Sequence, residues 1–256
     1  MINQSASPSA LSVALVTGAG DRIGAAIAKA LSRAGHAVII HYNRDADGAG
    51  QVQADITAAG GTAAIVQADL MDRPQRAGLI AKAAAPFGPL SVLINNASVF
   101  DPDSLYDLDE ALWDSHFAIH AEAPVFLARD FAAQHPAGSL GNIVNIIDER
   151  VLHTSPAYFS YTLSKSVLWA ATRTMAQTIR VNAIGPGPVL PHSRQSQAQF
   201  EASVQGLPLQ RNAGPEDIAD GVLMLLAAKS MTGQMLALDG GEHLEHPERR
   251  GSTPRS

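Results

Sequence analysis

The chain has 256 residues, 46% of them hydrophobic and 16% charged, with a formal net charge of −6. That suits one globular domain with a sizeable core, and the acidic balance with 5% aromatic content argues against nucleic-acid or anionic-membrane partners. With no cysteine, disulfides, a thiolate nucleophile and Cys-based metal sites are excluded.

No apolar run reaches the ~18 residues of a membrane span. Residues 1–10 carry no Lys or Arg and read as a flexible leader, not a signal or transit peptide. The cytoplasm is the expected compartment. The nine histidines form no HExxH and no tight cluster with acids, so no metal site is expected.

Residues 12–17 are a short apolar run before a glycine turn and predict a buried strand. Ile23, Ile27 and Leu31 repeat at helical spacing, and Gly35 stops that helix. A second strand is expected at 37–42, a helix at 49–59 ended by Gly60 and Gly61, and a third strand at 63–67. Pro74 opens a helix to residue 85, a fourth strand follows at 90–95, and Asp109 opens a longer helix to about residue 131. Then come a strand at 142–147, a helix at 158–178, a strand at 179–184, a helix at 215–228 and a last strand at 235–238. This alternation predicts an α/β fold, a single Rossmann-type doubly wound parallel sheet of about seven strands with helices on both faces. The domain is expected over residues 11–245, followed by a polar, mobile tail at 246–256.

At the first strand-to-helix junction lies Thr17-Gly18-Ala19-Gly20-Asp21-Arg22-Ile23-Gly24. Glycines let the backbone turn sharply and approach a pyrophosphate, and the following helix N-terminus offers free N–H groups to that anion. The alternative is a purely structural turn. The second strand ends in His41-Tyr42-Asn43-Arg44, without the acid that would bind the adenosine 2′-hydroxyl of NAD. Arg44 instead offers a fork suited to a 2′-phosphate, and Arg22 adds positive charge, so NADPH/NADP+ is the expected cofactor. Asp45, just beyond, limits that inference.

Farther along come Asp148 and then Tyr161-Thr162-Leu163-Ser164-Lys165. Tyr161 and Lys165 are four apart, on one helix face about one turn from each other. An ammonium beside a phenol favours phenolate, so the spacing predicts that Lys165 lowers the pKa of Tyr161 and makes it a proton donor near neutral pH. The bland alternative is an ordinary amphipathic turn.

Taken in order, the glycine turn, Asp69-Leu70, Asn95-Asn96-Ala97, Tyr161 with Lys165, and Gly185-Pro186-Gly187 resemble the short-chain dehydrogenase/reductase family over residues 13–243. The resemblance implies a nicotinamide cofactor, hydride transfer and a homodimer or homotetramer. It also implies that Gly18, Arg22, Ile23, Gly24, Tyr42, Asn43 and Arg44 bind the cofactor. Leu70 would also bind cofactor, Asp69 would face the adenine, Asn95 and Ala97 a cofactor ribose, and Lys165 the nicotinamide ribose beside Tyr161. Pro186 and Gly187 would border the nicotinamide.

Three departures narrow the resemblance. Arg22 and Ser98 stand where most members have glycine, and Asp148 stands where most have the catalytic serine, thirteen residues before Tyr161. All three resemble the pteridine reductase branch, dihydromonapterin reductases included. That implies a pterin-like substrate held by Arg22, Ser98, Phe100, Asp148 and Tyr161, with Asp148, Tyr161 and Lys165 catalytic and Ser98 also touching cofactor. A carboxyl group gives this chemical sense, because reduction of a C=N bond needs a proton delivered to nitrogen. Asp148 can otherwise cap the next segment, and Phe100 can be a plain core aromatic. The remaining function classes are a carbonyl or 3-oxoacyl reductase and a non-catalytic NADP-binding regulator.

His120 occupies the place of the family's usual relay asparagine, with its role open. Residues 188–200 form the loop expected to close over substrate. From Tyr161 to Asn182 the chain is about one turn shorter than the family pattern, in a helix that often packs a dimer.

Overall fold

The computed structural model describes residues 12–135, 141–192 and 194–244. The expected leader and tail lie outside the described residues. Among the described residues, no helix is long and apolar enough to cross a membrane.

Seven parallel strands form one sheet in the order β3-β2-β1-β4-β5-β6-β7. They are β1 (Val13–Val16), β2 (Ala37–Tyr42), β3 (Ala63–Gln67), β4 (Val92–Asn95), β5 (Asn142–Ile146), β6 (Arg180–Pro186) and β7 (Met235–Leu238). The expected doubly wound sheet is therefore observed. Strand order reverses between β1, which pairs with β2 on one side, and β4 on the other. Such a switch point opens a crevice at the carboxyl ends of the strands.

The central strands β1 and β4 are buried along their whole length, so they read as continuous apolar runs. Alternate side chains feed two cores. Ala14, Val16, Val38 and Ile40 pack with Ile27 and Leu31 of α1 (Arg22–Arg33) and with Ile218, Val222 and Leu225 of α8 (Pro215–Ala227). Val13, Leu15, Ile39 and Leu93 pack on the other face with Leu79 of α3 (Arg73–Ala84) and with Leu127 and Phe131 of α5 (Ala123–Ala132). A period of two along each strand thus covers both faces with helices.

Helix α2 (Ala46–Ala58) begins three residues before the expected 49, because the Asp45 side chain accepts from the Gly48 N–H and caps it. The single helix expected from Asp109 to about residue 131 is broken into α4 (Glu110–Phe117), a π-helical turn at Ala118–Glu122, and α5. The wider turn contains His120, and such turns often mark functional sites. Helix α6 (Phe159–Met175) starts and stops inside the expected 158–178. The expected loop at 188–200 gives way to α7 (Gln197–Gln205), whose capping box joins Ser196 and Gln199. That S-x-x-Q signature was present in the sequence.

Candidate active site

The glycine turn runs from β1 into α1. Gly18 has φ +61, and a Cβ there would meet the Ala97 Cα at 2.9 Å. At Gly24 a Cβ would collide with the Gly18 carbonyl oxygen. The turn is sewn to β4 by Asn96, whose Nδ2 donates to the Thr17 and Gly18 carbonyls, both at 2.9 Å. From the β2 side, His41 receives the Gly18 N–H on Nδ1 at 3.1 Å. That bond assigns the ring proton to Nε2, which donates to the Ala68 carbonyl at 3.0 Å. Burial pushes the His41 imidazole down to about 4.

Three adjoining cavities follow the carboxyl edge of the sheet. One of about 500 Å³ is lined by Gly18, Tyr42, Asn43, Arg44 and Asp69. The next, of about 380 Å³, is lined by Gly18, Arg22, Ile23, Gly24, Leu70 and Ala97, among others. The third, of about 550 Å³, shares Arg22, Ile23, Ser98 and Phe100 with the second and adds Asp148, Tyr161, Lys165, Pro186 and Gly187. The structure thus brings every sequence-predicted site residue to this groove except Asn95. Asn95 is buried behind the wall, where its Nδ2 donates to Asn145 Oδ1 at 2.8 Å. Its neighbour Asn96 lines the groove instead. The Gly187 backbone leaves no room for a side chain, since a Cβ would lie 2.8 Å from the Asp239 Cα.

Tyr161 lies in the first turn of α6, and its hydroxyl donates to Asp148 Oδ2 at 2.8 Å. The other oxygen, Oδ1, accepts the Arg150 N–H at 3.0 Å and caps the 3-10 turn Glu149–Val151. Asp148 therefore caps the next segment and also faces the cavity. Lys165 is on the same helix face as Tyr161, with Nζ 5.6 Å from the ring centroid, but its ammonium donates to the Ile146 carbonyl at 2.9 Å. The expected lowering of the Tyr161 pKa by Lys165 is corrected by this geometry. Burial, then the Asp148 charge, hold the phenol well above its ordinary value, while Arg150 and the adjacent Ser98 hydroxyl oppose them. Burial also brings Lys165 down to about 8, with Asp148 opposing.

Phe100 is half-buried in the cavity wall, so it is no core aromatic. Its ring stacks on Tyr158 at 4.3 Å and meets Tyr161 edge-on at 4.8 Å. The Arg150 guanidinium covers both rings of that stack, 5.5 Å from Phe100 and 5.3 Å from Tyr158. Arg22 has φ +48, an uncommon conformation for a side-chain-bearing residue, and it donates to the carbonyls of Leu190 and Pro191.

Behind Tyr161 lies a layer the sequence reading did not assemble. Asp103 accepts the Ser160 N–H and hydroxyl and the Phe159 N–H goes to its carbonyl, so Asp103 caps α6 from outside the helix. Ser160 in turn bonds His116, and the His116 and His120 rings stack 5.6 Å apart, each nearly perpendicular to the Tyr161 ring. The i, i+4 spacing of His116 and His120 was the available signal. Arg150 had none beyond its place two residues after Asp148. Glu149 is also new. It is buried, its Oε2 has no hydrogen-bond partner among the described residues, and burial, with Glu242 and Asp148 adding negative charge, raises it to about 8.

Residues 18–243 match the family described as enoyl-(acyl carrier protein) reductase. The chain belongs to the short-chain dehydrogenase/reductase family. Pteridine reductase 1 of Leishmania tarentolae is 33% identical over 279 residues, covering 91% of this chain and 96% of that one. The cis-4-hydroxycyclohexanecarboxylate dehydrogenase of Sinomonas cyclohexanicum is 34% identical, covering 90% and 95%. Among solved structures, FolM alternative dihydrofolate reductase 1 from Brucella suis, in complex with NADP, superposes with a TM-score of 0.89 at 47% identity, covering 93% of this chain and 98% of that one. The resemblance to the pteridine reductase branch is thus upheld by both kinds of relative.

Proposed function

We propose that this protein is an NADPH-dependent oxidoreductase that reduces a dihydropterin, of the dihydrobiopterin, dihydromonapterin or dihydrofolate type, to its tetrahydro form. The observation that carries the reading is the Tyr161 hydroxyl on the Asp148 carboxylate at 2.8 Å, in a cavity walled by Phe100. The groove fits the cofactor. The backbone at Gly18, Gly24 and Gly187 has no space for a Cβ, and Arg44 ends the groove with an unburied cation. The NADP held by the FolM structure and the name of the Leishmania relative support the same choice.

Gly18, Arg22 and Gly24 would cradle the pyrophosphate, and Asn43 with Arg44 the 2′-phosphate. When bound, NADPH would supply the hydride for the carbon of a C=N bond. Asp148 and Tyr161 supply the proton that the nitrogen takes up, the phenol being held in place before the reaction begins. Phe100 gives a flat ring a face to stack on. Lys165, whose pKa burial lowers to about 8, donates to the Ile146 carbonyl and lines the same cavity.

The test is consumption of NADPH with dihydrobiopterin, dihydromonapterin and dihydrofolate in parallel, beside a panel of ketones. Turnover of a dihydropterin that is lost in Tyr161→Phe and in Asp148→Ala is the expected result. Turnover of ketones alone would replace it with the carbonyl reductase reading.

A further inference from the structure

The two nitrogens of His120 have different partners, and the partners assign its proton. The Val99 backbone N–H points at Nε2 at 3.2 Å. A backbone N–H can only donate, so Nε2 is an acceptor and carries no hydrogen. At the other nitrogen, Nδ1 lies 2.9 Å from Ser164 Oγ. The Ser164 hydrogen is already committed to the Tyr161 carbonyl at 2.7 Å, so Ser164 accepts from His120 Nδ1–H. Two independent bonds give the same tautomer. Ser98 Oγ, 2.8 Å from Nε2, must then donate to it. That leaves the Ser98 lone pairs turned away from the imidazole.

We propose that His120 is a positioning residue, a neutral imidazole protonated at Nδ1 that fixes the Ser98 hydroxyl beside Tyr161 through its Nε2 lone pair and delivers no proton itself. The surroundings keep it neutral. The ring is 1% exposed, and burial first, then Lys165 and His116, press its pKa well below the ordinary value. Lys165 comes from α6 and His116 from α4, so the charge-bearing neighbours named on both packed elements disfavour a second proton. With its one hydrogen on His120 Nε2, the Ser98 hydroxyl is held beside Tyr161, where it favours ionisation of the phenol. The π-helical turn at Ala118–Glu122 is what brings an imidazole to this spot, one residue wider than an α-turn.

The kinetic part of the test rests on the reductase reading above, and the spectroscopic part does not. Nitrogen-15 NMR of histidine-labelled protein, with the His120 signals identified by their loss in His120→Gln, reads the tautomer directly. The expected result is the Nδ1–H form, unchanged between about pH 5 and about pH 8, where a free imidazole would titrate. An Nε2–H form, or titration in that range, overturns the proposal whether or not any substrate is turned over. In kinetics, His120→Gln places an amide oxygen near the Nε2 position and is expected to rescue kcat to within about threefold of the parent. His120→Asn reaches only the Nδ1 position and is expected to lower kcat about tenfold with KM for the dihydropterin unchanged. Ser98→Ala combined with His120→Asn should cost no more than the larger single effect, since both remove one interaction. Equal losses in the Gln and Asn variants would mean that the ring moves protons, and would overturn the positioning role. If the parent reduces no dihydropterin, the functional reading fails alone and the NMR result still decides this one.

Discussion

Asp148 takes the Tyr161 hydroxyl at 2.8 Å, while Lys165, one helical turn further along, donates to the Ile146 carbonyl at 2.9 Å. In this protein the carboxylate therefore governs the phenol's ionisation more than the ammonium does. Asp148→Asn keeps an acceptor for the hydroxyl but removes the negative charge that raises the phenol's pKa. The alkaline limb of the pH–rate profile should move to lower pH. The dihydropterin rate should also fall about a hundredfold or more, because the amide cannot pass a proton. A variant with parental rate and profile would remove Asp148 from the proton path.

Lys165 makes a stability prediction with a defined sign. Burial lowers it from 10.5 to about 8, so between those values the unfolded chain binds more protons than the folded one. Stability must rise with pH through that window, and at pH 7 the full penalty is present, on the order of 3 kcal/mol. Lys165→Met removes the penalty but leaves the Ile146 carbonyl unpaired, a loss of ~1–2 kcal/mol. The variant should be modestly more stable than the parent at neutral pH in urea titrations, and the advantage should shrink as pH approaches 10.

Much of this groove was legible in the chain because its parts are local. The glycine turn, the Tyr161 and Lys165 pair and the strand-helix alternation each depend on neighbours within one or two turns, and periodicity reads those directly. What escaped was set by tertiary approach. Asp103 caps α6 from 57 residues away, and nothing at position 103 announces it. The choice of Asn96 over Asn95 depends on which alternate side chain of β4 faces the turn and which faces β5, a register matter. The π-turn at His120 was hidden because one extra residue in a helix hardly alters its apolar pattern. The direction of the Tyr161 shift needed burial, which spacing does not give.

Arg44 bears on the choice between the two nicotinamide cofactors. It is exposed at the end of the groove beside Asn43, and in the proposed role it would reach a 2′-phosphate through its flexible side chain. Arg44→Ala should raise KM for NADPH by about tenfold and leave KM for NADH nearly unchanged, since a charge-assisted bond is worth roughly 1.5–3 kcal/mol. Measuring both constants on parent and variant checks this. A parent that already prefers NADH would refute the role given to Arg44.

Gly24 is where the turn tolerates least. A Cβ there would collide with the Gly18 carbonyl oxygen and lie 2.7 Å from Asn96 Nδ2 and 2.9 Å from the Ala19 Cα. Two of those atoms are backbone, so no side-chain rotation relieves the contact. Gly24→Ala should cost ~3 kcal/mol and distort the very N–H groups that would face a pyrophosphate. NADPH binding, followed by its fluorescence, should be lost before the fold is. Circular dichroism at low temperature separates the two.

His41 ties the same turn to β3 and gives the protein an acid limb. Its pKa falls from 6.5 to about 4 through burial, so in that interval the unfolded chain binds the extra proton. Stability is therefore lost as pH falls from 6.5, and the loss is complete below about 4. Protonating Nδ1 would also confront the Gly18 N–H with a second donor. His41→Asn offers an oxygen where Nδ1 lies and has nothing to protonate, at the cost of the bond to Ala68. Other buried histidines, His116 and His120 among them, add acid sensitivity of the same sign, so the difference between variant and parent is the informative quantity. Urea titrations at several pH values should find the variant weaker at pH 7 by ~1 kcal/mol and level with the parent, or ahead of it, near pH 4.5. A constant difference across that range would mean His41 already ionises freely in the folded protein, and the buried tie between the turn and β3 would have to be abandoned.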